Sequence, residues 1–152
     1  MPSSHLTPLQ QQIYWSAPSA VIERGRRRTS FGVLEQEGAR LGIVTSKMLD
    51  AVELAFAALP PPIVWDVVIT TEDTPLHKPH PAPLLAALER VVGTPAEAVY
   101  VGDSPFDLQA ARAAGTAAIG VTWGAFGRAA LEAEEPLVVV DTPAQLLEAL
   151  AG

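Results

Sequence analysis

One stretch, AVYVGDSPFDLQAARAAG at residues 98–115, constrains the fold of this chain more than any other. Residues 98–101 are apolar and partly β-branched, which predicts a strand covered on both faces. Gly102 allows a sharp turn, and Ser104 can cap a following helix. Asp103 is therefore expected at the carboxyl end of a buried strand, where open α/β sheets hold their ligands.

The rest of the chain continues this alternation of strands and helices. Further strands are predicted at residues 41–44, 65–70, 117–121 and 138–140, and further helices at 47–59, 84–92 and 143–150. This spacing indicates βαβ units, so we expect an α/β fold with a three-layer, doubly wound, mainly parallel sheet. Residues 1–40 are weakly patterned. The predicted division is an atypical N-terminal segment, 1–40, and a core domain, 41–152.

Composition excludes several classes of protein. A net charge of −7 argues against broad nucleic-acid binding. No apolar run approaches the roughly 20 residues of a membrane span. The absence of cysteine excludes disulfides and thiolate metal sites. We therefore expect a folded cytoplasmic protein with neither nucleic acid nor membrane as a partner. Lys47 and Lys78 are the only lysines, which draws attention to Lys78 in a predicted loop.

Polar side chains follow three of the predicted strands. Thr45 and Ser46 follow the first, Lys78 lies in the loop after the second, and Asp103 and Asp107 follow the third. Because the carboxyl ends of parallel strands share one edge, these groups should converge. Hydroxyls, a helix N-terminus and an ammonium suit a phosphate dianion, whereas two carboxylates suit Mg²⁺. The combination points to phosphoryl transfer.

Each of these residues also has a purely structural interpretation. Thr45 or Ser46 could simply cap the next helix. Asp107 stands three residues after Ser104, which is the spacing of a capping box. Lys78 taken alone would be a solvated lysine. The functional interpretation depends on the set rather than on any single member.

The loop after the second strand contains four more polar residues. Glu72 and Asp73 are expected to face solvent rather than substrate. His77 and His80 form a His-x-x-His pattern, but no further ligand follows at a suitable spacing for a metal site.

The order of these motifs resembles the haloacid dehalogenase superfamily. Its second, third and fourth motifs are matched by LGIVTSK at 41–47, HKPHPAPL at 77–84 and VYVGDSPFDLQAARAAG at 99–115. The flanking text, DVVITTEDTPLHKPHP at 66–81 and VTWGAFGR at 121–128, is similar to the phosphoglycolate phosphatase and pyrophosphatase-like branch. The resemblance covers about residues 38–150.

This resemblance implies a Mg²⁺-dependent hydrolase whose partner is a small phosphorylated metabolite, a phosphate monoester. It implies that Thr45 and Lys78 are phosphate ligands, with Ser46 beside them in the substrate-binding set. It further implies that Asp103 is a metal ligand and that Asp107 supports the metal or orders the loop. Thr45, Lys78 and Asp103 are then the implied catalytic residues.

The chain also departs from the family pattern. The family's first motif, Asp-x-Asp-Gly-Thr, supplies the nucleophile and the acid/base, yet no aspartate occurs before Asp50. Residues 1–40 are too few for the family's cap domain, so we expect a core without a cap. Hydrolysis through an aspartyl-phosphate should be impaired. The alternative is a non-catalytic phosphate- or metal-binding module, or a truncated gene product.

The missing motif leaves a gap in the expected sheet. The family's first strand lies between the strands that carry motifs two and four, and an open gap would expose unpaired edges. We expect residues 20–22 to replace it, with a crossover helix at 30–40, which would put Glu23 and Arg24 near the nucleophile's position. Direct pairing of the flanking strands is an alternative. A strand from a neighbouring chain is another, and it would make the protein a homo-oligomer.

Two other classes share part of the pattern. A phospho-accepting receiver domain also uses Asp, Thr and Lys, but its acidic residues precede the other two, whereas Asp103 follows Thr45 and Lys78. A dinucleotide-binding domain lacks support, because no G-x-G-x-x-G follows a strand.

Overall fold

The computed structural model of the protein describes residues 19–23, 39–58 and 65–151. In these ranges the strands and helices alternate along the chain. They are β1 (Ser19–Glu23), β2 (Leu41–Val44), α1 (Leu49–Ala58), β3 (Val67–Ile69), α2 (Ala82–Arg90), β4 (Ala98–Gly102), α3 (Pro105–Ala114), β5 (Ala117–Val121), α4 (Arg128–Glu132), β6 (Val138–Val140) and α5 (Pro143–Ala151).

The six strands form one sheet in the order β3-β2-β1-β4-β5-β6. The pairs β2–β3, β4–β5 and β5–β6 are parallel, whereas β1 is antiparallel to both of its neighbours. The prediction of a mainly parallel α/β sheet is confirmed. Because β2 and β4 run in the same direction, their carboxyl ends share one edge of the sheet, called the carboxyl edge below.

Helices cover both faces of the sheet. Buried side chains from α2, α3 and α4 join one core cluster, and α5 contributes Leu146 to a second. Strand β4 shows why two clusters form. Tyr100 enters the first, and Val99 and Val101 enter the second, because successive strand residues point to opposite faces. This arrangement accounts for the three layers predicted from the sequence.

The start of α3 is built as its sequence predicts. The Ser104 side chain accepts a hydrogen bond from the Asp107 backbone N–H, and the Asp107 carboxylate accepts one from the Ser104 N–H, which is a complete capping box. Pro105 occupies the first turn. Gly115 ends the helix with φ at 80°, a left-handed conformation that favours glycine.

Strand β1 fills the centre of the sheet, as predicted for residues 20–22, so β2 and β4 do not pair directly. Its direction differs from the expectation. Ser19 lies opposite Val44 at the carboxyl edge, and Glu23 lies opposite Ala98, the first residue of β4. The prediction that Glu23 lies near the nucleophile's position is therefore wrong.

The physical reason is that a short apolar run carries no signal for strand direction. A strand antiparallel to β2 ends at the edge where β2 begins, so the two need no crossover. Arg24 and most of the predicted helix at 30–40 lie outside the described residues. The division at residue 40 and the homo-oligomer both stay predictions.

No helix in the described ranges combines the length and the apolar character needed to cross a membrane. The five-residue helix α4 was not predicted, because one and a half turns are too short to show a periodic pattern.

Candidate functional site

Thr45 directly follows β2 at the carboxyl edge and is only 4% exposed. Its backbone N–H donates to the Ile69 carbonyl at 2.9 Å, which ties the end of β2 to β3. Its Oγ1 accepts from the Lys47 N–H at 3.1 Å. Within the described part of the chain the hydroxyl proton has no acceptor, so it can donate to an anion, and Ser46 and Lys47 beside it are exposed.

Lys78 enters the same edge from the loop between β3 and α2, and its side chain is buried. The Nζ atom donates to Asp107 Oδ1 at 2.7 Å, to the Tyr100 hydroxyl at 3.1 Å and to the Val44 carbonyl at 3.3 Å. Burial alone would lower the pKa of Lys78, but the neighbouring oxygens of Tyr100 and Asp107 outweigh it and raise that pKa. Lys78 is thus a fixed, fully charged ammonium rather than a solvated one.

Asp107 connects Lys78 to the start of α3. Its Oδ2 accepts from the backbone N–H groups of Asp103 at 3.1 Å and Ser104 at 3.2 Å, while Oδ1 accepts from Lys78. The residue is 4% exposed. Both oxygens are engaged by donors within the protein, so the carboxylate holds the turn after β4 and the ammonium together.

Asp103 lies in that turn and is half-buried. Burial, and after it the negative charge of Asp107, raises the pKa of Asp103 to about 7. The positive charge of Lys78 acts in the opposite direction but is outweighed. One ammonium and two carboxylates leave an excess of negative charge when both acids are ionised. A bound cation would remove that excess.

Two glycines make room for these carboxylates. A Cβ at Gly124 would lie 2.4 Å from Asp103 Oδ2, and a Cβ at Gly102 would lie 2.3 Å from Asp107 Cβ. Real Cβ atoms do not come this close to other heavy atoms. Only glycine, which has no Cβ, allows the backbone to approach the two aspartates this closely.

The sequence interpretation missed Tyr100 and Gly124. Tyr100 is fully buried on β4, and its hydroxyl donates to the Val44 carbonyl at 3.2 Å. A hydroxyl inside an otherwise apolar strand was the available signal, because a buried tyrosine needs a hydrogen-bond partner. Gly124 lies within the VTWGAFGR segment noted in the sequence, but no local pattern there indicates its close approach to Asp103.

The acidic residues of the loop after β3 have structural partners although they are exposed. Glu72 accepts from the Leu49 N–H at 2.9 Å, at the start of α1, and from the Thr70 hydroxyl at 2.7 Å. Asp73 accepts from the Thr70 N–H at 2.7 Å and from Arg90 of α2 at 3.0 Å. These contacts fix the loop that carries Lys78.

The histidine pair does not form a metal site in the structure. His77 and His80 are exposed, and His80 Nδ1 accepts from the Ala82 N–H at 3.1 Å. Over the described ranges, no three or more His, Cys, Asp or Glu side chains form a group that could hold a metal by themselves.

Comparison with known proteins shows which family this chain resembles. A family model for haloacid dehalogenase-like hydrolases matches residues 28–121. The pyrophosphatase PpaX of Bacillus mycoides is 39% identical over 118 residues, which are 78% of this chain and 55% of that protein. The chain thus spans about half the length of the curated relatives it matches.

Solved structures give the same likeness. A predicted phosphoglycolate phosphatase from Haemophilus somnus superposes with a TM-score of 0.71 at 28% identity, over 78% of this chain and 52% of that one. A hydrolase from Pseudomonas syringae superposes with a TM-score of 0.71 at 28% identity, over 78% of this chain and 54% of that one.

Proposed function

Because the chain belongs to the haloacid dehalogenase-like hydrolase family, we propose that it is a phosphatase-type core that recognises small phosphate monoesters with Mg²⁺ and hydrolyses them poorly. Its relation to a pyrophosphatase supports a small phosphorylated substrate, and its likeness to a predicted phosphoglycolate phosphatase supports a monoester. One observation carries the proposal. Strand β1 occupies the central sheet position between β2 and β4, the strands that Thr45 and Asp103 directly follow.

The phosphate part of the proposal is supported by donors at the carboxyl edge. Thr45 has a hydroxyl proton without an acceptor among the described residues, and the positive charge of Lys78 is held against the carbonyl of Val44, the last residue of β2. A hydroxyl and an ammonium are the partners that a phosphoryl oxygen requires. Ser46 is exposed beside Thr45 and completes the proposed substrate-binding set.

The Mg²⁺ part is supported by the charge balance. Mg²⁺ in proteins often takes one or two carboxylates, several waters and a substrate phosphate. Asp103 fits the role of ligand, because the attraction of Lys78 does not offset the effects of burial and of the Asp107 charge on its ionised form. Asp107 fits the role of support, since both of its oxygens already accept hydrogen bonds. When bound, the cation would neutralise charge on the phosphoryl oxygens.

The proposed impairment of hydrolysis is supported by the strand that stands in the centre of the sheet. In the family this position carries the strand that ends in the aspartate nucleophile. Here β1 is hydrogen-bonded to both neighbours and meets the carboxyl edge with Ser19. No aspartate occurs before Asp50 in the sequence. A non-catalytic phosphate- or metal-binding module is the second candidate, and the same observation favours it.

The test is a paired measurement of turnover and binding. Hydrolysis of p-nitrophenyl phosphate and phosphoglycolate with Mg²⁺ is compared for the wild type and Asp103→Asn, while calorimetry measures binding of inorganic phosphate with and without Mg²⁺. We expect binding that weakens in Thr45→Val, together with hydrolysis near the uncatalysed rate. Rapid turnover that Asp103→Asn abolishes would overturn the impairment. Absence of both binding and turnover would overturn phosphate recognition.

A further inference from the structure

Tyr100 is a buried residue of β4 whose hydroxyl lies between two groups of the carboxyl edge. It accepts from Lys78 Nζ at 3.1 Å and donates to the Val44 carbonyl at 3.2 Å. The Lys78 ammonium also lies 5.8 Å from the centre of the Tyr100 ring, within range of a cation–π attraction. The side chain is completely buried.

The contacts of Lys78 leave no donor for a ligand. An ammonium has three N–H donors, and here they go to Asp107 at 2.7 Å, Tyr100 at 3.1 Å and Val44 at 3.3 Å. Lys78 can therefore donate directly to a phosphoryl oxygen only if it releases one of these three partners.

The Val44 carbonyl is the partner that costs least to release. Its contact with Lys78 is the longest of the three, and the carbonyl keeps the Tyr100 O–H as a donor after Lys78 leaves. Releasing Asp107 instead would leave a buried carboxylate without its counter-charge, which is much more costly. The exchange depends on Tyr100, since without its hydroxyl the buried carbonyl would lose the last side-chain donor that the described residues supply.

We infer that Tyr100 is a positioning residue that lets Lys78 exchange the Val44 carbonyl for a phosphoryl oxygen. Its ring and hydroxyl hold the ammonium in place, and its O–H satisfies the carbonyl once Lys78 turns to the anion. The inference rests on the proposed function in one respect, because it requires an anion to bind at this edge.

The variant that tests this inference is Tyr100→Phe, which removes the hydroxyl and keeps the ring. Since the chain has only two lysines, labelled lysine gives one NMR signal for Lys78 and one for the exposed Lys47 as an internal reference. The matched control is Thr116→Val, which removes a hydroxyl that donates to the Ala111 carbonyl just before β5, at the opposite edge.

We expect Tyr100→Phe to shift the Lys78 signal in the absence of ligand and to weaken binding of inorganic phosphate about tenfold, the effect of about one charge-assisted hydrogen bond. Thr116→Val should change neither. Unchanged phosphate affinity, or weaker affinity with an unmoved Lys78 signal, would overturn the inference. If the wild type binds no phosphate, both the proposed phosphate recognition and the exchange at Lys78 are overturned; if it binds phosphate but Tyr100→Phe binds it equally well, only the exchange is overturned.

A measurement on the wild type covers the case in which Tyr100→Phe does not fold. Phosphate is titrated into protein labelled at the Val44 carbonyl carbon and at lysine. The exchange predicts that the Val44 and Lys78 signals move together with one affinity. A Val44 carbonyl that stays still while Lys78 responds would contradict it.

Discussion

At the residue scale, the carboxyl edge combines one ammonium with two acids that have different surroundings. Asp107 accepts hydrogen bonds from Lys78 and from two backbone N–H groups. Asp103 lies against Gly124, and the attraction of Lys78 does not offset the cost of burying its charge. Two aspartates four residues apart thus have opposite effects on the fold. Asp107 is held by hydrogen bonds, whereas Lys78 only partly offsets the burial of Asp103 and its repulsion by Asp107, which a bound cation would offset further.

Asp107→Asn should be strongly destabilising, because it leaves the Lys78 ammonium buried without its charged partner. Breaking one partner of a buried pair costs about 3 kcal/mol or more. The side chains of Lys78 and Asp107 are 8% and 5% exposed, so water cannot compensate well. Urea unfolding measures the free energy of unfolding. A loss below 0.5 kcal/mol, the scale of ordinary surface substitutions, would contradict this assignment.

Asp103→Asn is the matched variant, and we predict the opposite sign. In protein freed of divalent cations at pH 8, burial and the charge of Asp107 both oppose the ionised Asp103. Removing that charge should raise the free energy of unfolding by about 1 kcal/mol. Added Mg²⁺ should stabilise the wild type and leave the variant unchanged. Destabilisation of the variant in metal-free buffer would refute this prediction.

At the element scale, contacts made by loops determine how Lys78 and Asp103 are positioned at the carboxyl edge. Glu72 and Asp73 fix the loop that brings Lys78 to the edge, and the loop after β5 places Gly124 against Asp103. The sequence predicted where the strands end, and hence which side chains converge. It did not predict the loop contacts, because hydrogen bonds such as that of Asp73 with Arg90 join residues whose distance in space depends on the finished fold.

Gly124→Ala should disturb Asp103, because the added Cβ would overlap its carboxylate. We expect the affinity for Mn²⁺, used as a spectroscopic stand-in for Mg²⁺, to fall about tenfold or more. Gly127→Ala is the control in the same loop, since a Cβ there meets nothing within 4 Å. Equal Mn²⁺ affinity in the two variants would show that Gly124 does not position Asp103.

Asp73 should make stability depend on pH at the acid end. The Thr70 backbone N–H is the main cause that lowers the pKa of Asp73 below its ordinary 3.8, and Arg90 adds to it. A carboxyl with a lowered pKa contributes stability above pH 3.8 and loses it as pH falls through the folded-state value. Asp73→Asn should therefore flatten the decline in unfolding free energy below about pH 4.

The control for that pH profile is Glu89→Gln, which removes an exposed carboxylate from the same helix, α2. Its unfolding free energy should follow the wild-type profile in acid. An Asp73→Asn profile that also matches the wild type would mean that the loop contact contributes no stability.

At the scale of the whole molecule, the sequence predicted the strands of the sheet and the central place of β1, but not the direction of that central strand. Alternating apolar segments and turn residues located β2, β4, β5 and β6, because burial on both faces leaves a strong pattern. Residues 19–23 contain too few apolar positions to indicate direction. Tyr100 shows a second limit. Its place in a strand was predictable, but its contact with Lys78 depends on a loop that is distant in sequence.

The central claim is that β1 fills the sheet between β2 and β4 and runs antiparallel to both, in the position where the family carries its nucleophile. NMR cross-relaxation between backbone protons tests it directly, because antiparallel strands bring paired Hα atoms close at alternate positions and parallel strands do not. An antiparallel β1 should give contacts in the register that sets Val21 opposite Gly42 on one side and Tyr100 on the other. Contacts in a parallel register, or direct contacts between β2 and β4, would contradict it.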